Sequence, residues 1–232
     1  MLEDGSVYEG TARGDFKETA CEIVFNTSMT GYVEILTDPS YAGQGVVMTY
    51  PMIGNYGISR EDFESERLQP SAFIVHELSS DPSNFRCTDT IENLLKEYNI
   101  PCISGVDTRA VVKKLRESGT MRGVLTSDIS DRERLMDVIK SFCQIDLVGS
   151  VTAKQTKVYG EENTGAEIAL MDFGTKRNII NNLVKRNCIV TVYPSFTSAD
   201  EIIKTSPDGI MLSNGPGDPS ECVDIIKEIK KL

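Results

Sequence analysis

Three apolar runs decide how the second half of the chain folds: Ile168-Ala169-Leu170-Met171, Ile189-Val190-Thr191-Val192-Tyr193 and Gly209-Ile210-Met211-Leu212. Each is short, unbroken and followed by a helical pattern. Lys176–Arg186 puts Ile179, Ile180, Leu183 and Val184 on one face, Ser198 and Glu201 cap a short helix, and Glu221–Leu232 turns Val223, Ile226 and Ile229 inward. Buried strands alternating with helices predict a parallel, doubly wound α/β sheet. Such sheets run to roughly five strands or more. This one stops after its third helix, so the chain reads as carrying only the first βαβαβα part of that domain.

In parallel sheets ligands sit beyond the carboxyl ends of the strands, which singles out two loops. Asp172-Phe173-Gly174-Thr175-Lys176-Arg177 follows the first strand. Its D-F-G suggests a kinase, but the glycine-rich loop, strand lysine and H-R-D loop are missing, and a turn into a helix is the plainer reading. Ser213-Asn214-Gly215-Pro216-Gly217-Asp218-Pro219 follows the third strand. It is neither a P-loop nor a dinucleotide fingerprint. The prolines lack N–H groups, so Gly215, Gly217 and Asp218 are the donors of a rigid loop, suited to an oxyanion or carboxylate or else to a tight turn.

Upstream, residues 7–50 read as strands joined by turns, at Val7-Tyr8, Glu22-Ile23-Val24-Phe25 and Val46-Val47-Met48. Ala72–Val75, Cys102–Ser104 and Gly123–Leu125 read as further strands. Between them lie helices with faces Ile91, Leu94, Leu95, Tyr98 (opened by Asp89 and Glu92), Val111, Val112, Leu115 (capped by Asp107, ended by Gly119) and Leu135, Val138, Ile139, Phe142 (opened by Ser130 and Glu133). The polar stretch from Val151 to Gly165 has no periodicity and reads as a linker. The expected domains are 1–150 and 166–232, joined by 151–165.

The 232 residues are 40% apolar and 25% charged, as in a soluble globular protein. A net charge of −11 argues against a nucleic-acid reader. No apolar run is long enough to cross a membrane, and Met1-Leu2-Glu3-Asp4-Gly5 has no signal-peptide character. Without a route to the cell surface, Arg13-Gly14-Asp15 and the sequon Asn26-Thr27-Ser28 read as accidents. The six cysteines form no C-x-x-C pair and there is one histidine, so no zinc set is expected and the thiols read as reduced and cytoplasmic. His76 reads as a structural strand histidine. Cys222, with Ser220-Glu221 and Val223-Asp224 beside it in a helix, reads as a structural thiol rather than an elbow nucleophile.

Longer stretches carry a resemblance. Phe25-Asn26-Thr27-Ser28-Met29-Thr30-Gly31-Tyr32, Leu36-Thr37-Asp38-Pro39-Ser40-Tyr41, Tyr50-Pro51-Met52-Ile53-Gly54-Asn55-Tyr56-Gly57, Ser83-Asn84-Phe85-Arg86, Asp107-Thr108-Arg109, Asp172-Phe173-Gly174-x-Lys176-Arg177-Asn178-Ile179 and Leu212–Pro219 occur in this order. Together they resemble the small (glutamine amidotransferase) subunit of carbamoyl-phosphate synthase. The resemblance implies a small-subunit α/β domain followed by part of a class I glutamine amidotransferase domain. In that family a cysteine thiolate attacks L-glutamine, a histidine serves as base and a glutamate orients it. The released ammonia passes to a large subunit that makes carbamoyl phosphate for arginine and pyrimidine synthesis. By position, Ser40, Gly215 and Gly217 match glutamine-binding residues, and Gly215 supplies an oxyanion-hole amide. ATP and magnesium are expected on the large partner subunit and no cofactor on this chain, in a cytoplasmic heterodimer.

The family's G-x-C-x-G-H-Q elbow, later histidine and glutamate have no counterparts here. The chain therefore reads as truncated before the catalytic cysteine, clipped at its start and inactive alone, with no catalytic side chain and no metal of its own. Two other readings stay open: a flavodoxin-like ligand-binding module, disfavoured by the missing phosphate fingerprint, and a docking fragment whose first domain still binds a partner.

Overall fold

The computed structural model describes residues 1–143 and 146–232. They form two compact units, one of Met1–Thr37 with Tyr41–Gln144 and one of Asp38–Ser40 with Ile145–Leu232.

The first unit contains β1 (Thr11–Gly14), β2 (Thr19–Asn26), α1 (Tyr32–Thr37), β3 (Gln44–Met48), β4 (Met52–Ile53), β5 (Ala72–Ile74), β6 (Glu77–Leu78), α2 (Ile91–Glu97), β7 (Pro101–Ser104), α3 (Thr108–Ser118), β8 (Met121–Leu125) and α4 (Arg132–Ser141). Its main sheet has the order β1-β7-β5-β3-β2-β8. The inner pairings are parallel and both edge strands run antiparallel. Alternation along the strands serves two cores. Val46, Met48, Phe73 and Val75 pack with Leu36 of α1 and Leu94 of α2. Val47, Ala72 and Ile74 pack with Val111 and Leu115 of α3.

Several expectations shift. Val7-Tyr8 is not a strand, and β1 begins at Thr11. Asp107 caps α3 as expected, but two other helix caps move by one residue. Thr90 rather than Asp89 caps α2 by accepting from the Asn93 amide, while the Asp89 carboxylate accepts from the Thr90 amide and the Asn93 side chain. Asp131 rather than Ser130 caps α4. His76 lies exposed between β5 and β6, and its Nδ1 donates to the Val106 carbonyl at 3.0 Å.

Two of the quoted motifs prove to be core fittings. Tyr32 stacks on Tyr56 with ring centroids 4.2 Å apart. The Tyr32 hydroxyl donates to the Gly57 carbonyl at 2.6 Å, and the Tyr56 hydroxyl accepts from the amides of Gly31 and Tyr32. Burial pushes both phenol pKa values up. Tyr32→Phe is expected to cost about 1–3 kcal/mol, because the buried Gly57 carbonyl loses its donor. Urea denaturation followed by tyrosine fluorescence measures this, and an unchanged midpoint would contradict it.

The second unit contains α5 (Leu147–Val151), β9 (Lys157–Tyr159), β10 (Glu167–Asp172), α6 (Arg177–Val184), β11 (Ile189–Pro194), α7 (Ala199–Ile203), β12 (Gly209–Leu212) and α8 (Val223–Ile229). Its sheet runs β12-β10-β11-β9. The three expected strands are parallel with β10 in the centre, and β9 adds an antiparallel edge. The stretch expected as a linker thus carries a strand. Ser198 caps α7 as expected. Val223 does not turn inward but is 55% exposed, whereas Ile229 packs against Ala169 and Met171. β12 is the other edge, with Ile210 and Leu212 partly exposed. Among the described residues, no helix is long and apolar enough to cross a membrane.

Candidate functional site

The strand order reverses at β10, since β11 lies on one side of it and β12 on the other. In open α/β sheets ligands bind beyond the carboxyl ends of the strands at such a point. The loops after β10 and β12, singled out in the sequence, flank that point.

Asp172 organises the first loop. It is 7% exposed. Its Oδ1 accepts from the amides of Gly174 (3.0 Å) and Thr175 (2.7 Å) and from the Thr175 hydroxyl (2.7 Å). Its Oδ2 accepts from the Ala153 amide at 2.7 Å. The Asp172 carbonyl accepts from the Thr152 hydroxyl, which in turn accepts from the Ser195 amide. One carboxylate and one hydroxyl therefore tie together the ends of β10, β11 and the segment after α5. The D-F-G motif is a structural staple leading into α6.

The second loop locks onto the first. Ser213 Oγ accepts from the Phe173 amide at 2.9 Å. Asn214 Nδ2 donates to the Gly174 carbonyl and to Ser40 Oγ, both at 2.9 Å. Gly215 sits so close to Phe173 that a Cβ there would stand 2.4 Å from the Phe173 carbonyl oxygen. The glycine is thus required by backbone approaching backbone, a reason the sequence did not reveal. Gly174 is the other crowded point. Its φ is +125°, and a Cβ would meet Pro39, Val151 and Pro216 at 3.0–3.3 Å.

Ser40 belongs to this unit although α6 and β12 lie far along the chain. Its amide donates to Asp38 Oδ1 at 2.9 Å, and Asp38 Oδ2 pairs with Lys176 Nζ at 2.6 Å. The buried Asp38 thereby fixes the turn presenting Ser40. Ser40, Asn214, Gly215 and Gly217 are brought together around the two loops, whereas His76 lies in the other unit. Among the described residues, the amides of Gly215, Gly217 and Asp218 donate to no protein acceptor. Lys176 and Asn214 are the residues the sequence reading passed over as site-builders. The first stood in a quoted motif and the second inside the glycine loop.

Cys222 closes the short 3-10 turn Pro219–Glu221 and starts α8. Partial burial and the neighbouring acids Glu221, Asp146 and Asp218 push its thiol pKa up. That disfavours the thiolate a nucleophile requires. Its alkylation, followed by peptide mass spectrometry from pH 7 to 10, is expected to half-saturate at a higher pH than that of a free thiol. A midpoint below the free thiol's would contradict this. Cys222 itself is a free thiol.

Comparison with known proteins bears on the whole chain. Residues 1–125 match the family described as carbamoyl-phosphate synthase small chain, CPSase domain, and residues 169–232 match glutamine amidotransferase class-I. A carbamoyl phosphate synthase small chain from Clostridium perfringens is 48% identical over all of this chain and 66% of its own length. Relatives of the same description from Listeria monocytogenes and Bacillus cereus are 44% and 46% identical, with 64% and 63% of their lengths covered. This chain therefore spans slightly under two thirds of the length of these relatives. The order of the two matched regions and the 44–48% identity over the full length of this chain lead to one conclusion: the chain belongs to the carbamoyl-phosphate synthase small chain family.

Proposed function

We propose that the protein, at the length of its relatives, is the glutaminase subunit of a glutamine-hydrolysing carbamoyl-phosphate synthase. The observation that carries this reading is the closure of Ser40, Gly174 and Asn214 around the switch point, beside the unspent amides of Gly215 and Gly217. A hydroxyl and rigid backbone donors suit an amino-acid ligand whose carboxylate and amide oxygens accept hydrogen bonds. Ser40 and Gly217 hold glutamine. The Gly215 amide faces the oxygen that becomes an oxyanion when a thiolate attacks the side-chain carbonyl carbon.

In that step an S–C bond forms and the carbonyl electron pair moves to oxygen. The tetrahedral intermediate then expels the amide nitrogen, which takes a proton from an acid and leaves as ammonia. Water later cleaves the thioester to glutamate. None of this chain's six cysteines stands in the G-x-C-x-G-H-Q elbow that the family resemblance implies, so the attacking thiol is read as lying elsewhere in the protein at its relatives' length. These 232 residues alone are accordingly expected to be inactive. Ammonia passes to a large subunit that carries ATP and magnesium and forms carbamoyl phosphate, feeding arginine and pyrimidine synthesis in the cytoplasm.

The test supplies glutamine labelled with ¹⁵N in its side-chain amide to the protein, at its relatives' length and assembled with its large subunit, in the presence of unlabelled ammonium. Label is expected in most of the carbamoyl phosphate formed. Product containing only the unlabelled nitrogen would contradict the reading.

A further inference from the structure

Asn214 spends both of its amide hydrogens. One goes to the Gly174 carbonyl and the other to Ser40 Oγ, each at 2.9 Å. A carbonyl can only accept, so Gly174 fixes which end of the side chain is nitrogen. The other end, Oδ1, is buried and finds no donor among the described residues. A buried acceptor without a partner is a standing cost that calls for a reason. A simple clasp onto Gly174 would need only one hydrogen, so the arrangement favours a side chain retained for its second.

That second hydrogen determines what Ser40 can do. A hydroxyl has one proton and two acceptor positions. Asn214 fills one acceptor position, so Ser40 Oγ is an acceptor toward the protein and its proton is unspent. Among the described residues this hydroxyl donates to nothing. The Ser40 amide is already committed to Asp38 Oδ1, which leaves the hydroxyl as the group turned to a ligand. An oxygen with one position filled by a fixed donor can aim its O–H only along the directions that remain.

We propose that Asn214 is a positioning residue that holds Ser40 Oγ as an acceptor toward the protein and so reserves its proton for a ligand group able to accept, a carboxylate or carbonyl oxygen. This rests on the glutamine reading above and assigns Asn214 a role in substrate affinity rather than in the chemical step. Asn214→Asp puts an oxygen where the nitrogen was. The Ser40 hydroxyl then turns its proton toward the aspartate and presents lone pairs to the ligand.

The experiment is a double-mutant cycle on the protein at its relatives' length, assembled with the large subunit, with L-glutamine as the probe. Asn214→Ala is expected to raise KM for glutamine about tenfold and to leave kcat within about twofold, the signature of a ground-state contact. In a Ser40→Ala background the same change is expected to move KM less than about twofold, because the residue it acts through is gone. If Asn214→Ala fails to fold, Asn214→Asp carries the same cycle, since its loss of the Gly174 hydrogen bond is common to both backgrounds and cancels. An unchanged KM in the single variant, or a full tenfold increment on top of Ser40→Ala, would overturn the positioning role while leaving glutamine as substrate. A wild-type protein that hydrolyses no glutamine would overturn the glutamine reading itself, and the role of Asn214 with it.

Discussion

Asp172→Ala is expected to lower the stability of the second unit by about 3–5 kcal/mol, the largest effect of any single side chain near the site. The Asp172 carboxylate accepts three N–H bonds and one O–H bond at 2.7–3.0 Å in a buried position. Alanine removes the acceptor and leaves the amides of Ala153, Gly174 and Thr175 in place. Each buried donor stranded in this way costs about 1–3 kcal/mol, and the three are coupled through one loop, so they do not simply add. Asp172→Asn keeps one oxygen for the Gly174 and Thr175 donors but turns N–H toward the Ala153 amide, and about 1–2 kcal/mol is expected. Hydrogen exchange resolves the claim. Protection should fall at residues 152–154 and 173–176 before it falls in β2 and β3. A stability change below about 1 kcal/mol for Asp172→Ala would mean the carboxylate is not the loop's organiser.

Gly215→Ala is expected to reduce kcat/KM for glutamine by about 10² or more in the assembled protein. Alanine keeps the N–H, so a reading based on donors alone would treat it as harmless. The 2.4 Å approach of the new Cβ to the Phe173 carbonyl removes that option. Either the loop after β12 or the loop after β10 must move, and Asn214 and Ser40 move with it. Gly215→Pro adds the loss of the amide itself, and removal of one oxyanion donor alone costs about 10²–10³ in kcat. Gly217 provides the contrast. Its φ is +79°, but its Cβ would meet only Leu147, at 3.4 Å. Gly217→Ala is therefore expected to cost about 1–2 kcal/mol of backbone strain and to be the milder change. Gly215→Ala with kcat/KM within twofold of wild type would show that the loops yield without consequence.

The parallel strands were legible because β10 and β11 are buried along most of their length, which leaves unbroken apolar runs. β9 was hidden for the opposite reason. It is three residues long, lies on a sheet edge and exposes Lys157 and Val158, so its composition matches that of a loop. Val223 was misplaced because α8 begins two residues later than its hydrophobic spacing suggests, after the short turn at Pro219–Glu221. Within the site, the glycine loop announced itself through Gly and Pro. The link from Asn214 to Ser40 spans 174 residues, and no local pattern encodes it. Gly215 stood out for its amide, and its closeness to the Phe173 backbone, which lies 42 residues away in the chain, is written in no local pattern.

On the glutamine reading, Ser40 and the two loops hold the substrate of a reaction whose product, ammonia, is used elsewhere. The most direct measurement is carbamoyl phosphate synthesis by the assembled protein carrying Ser40→Ala, driven in turn by glutamine and by free ammonium. KM for glutamine is expected to rise about tenfold or more with kcat nearly unchanged, while ammonium-driven synthesis stays within about twofold of wild type. An unchanged KM for glutamine, or an equal loss with both nitrogen sources, would contradict that reading.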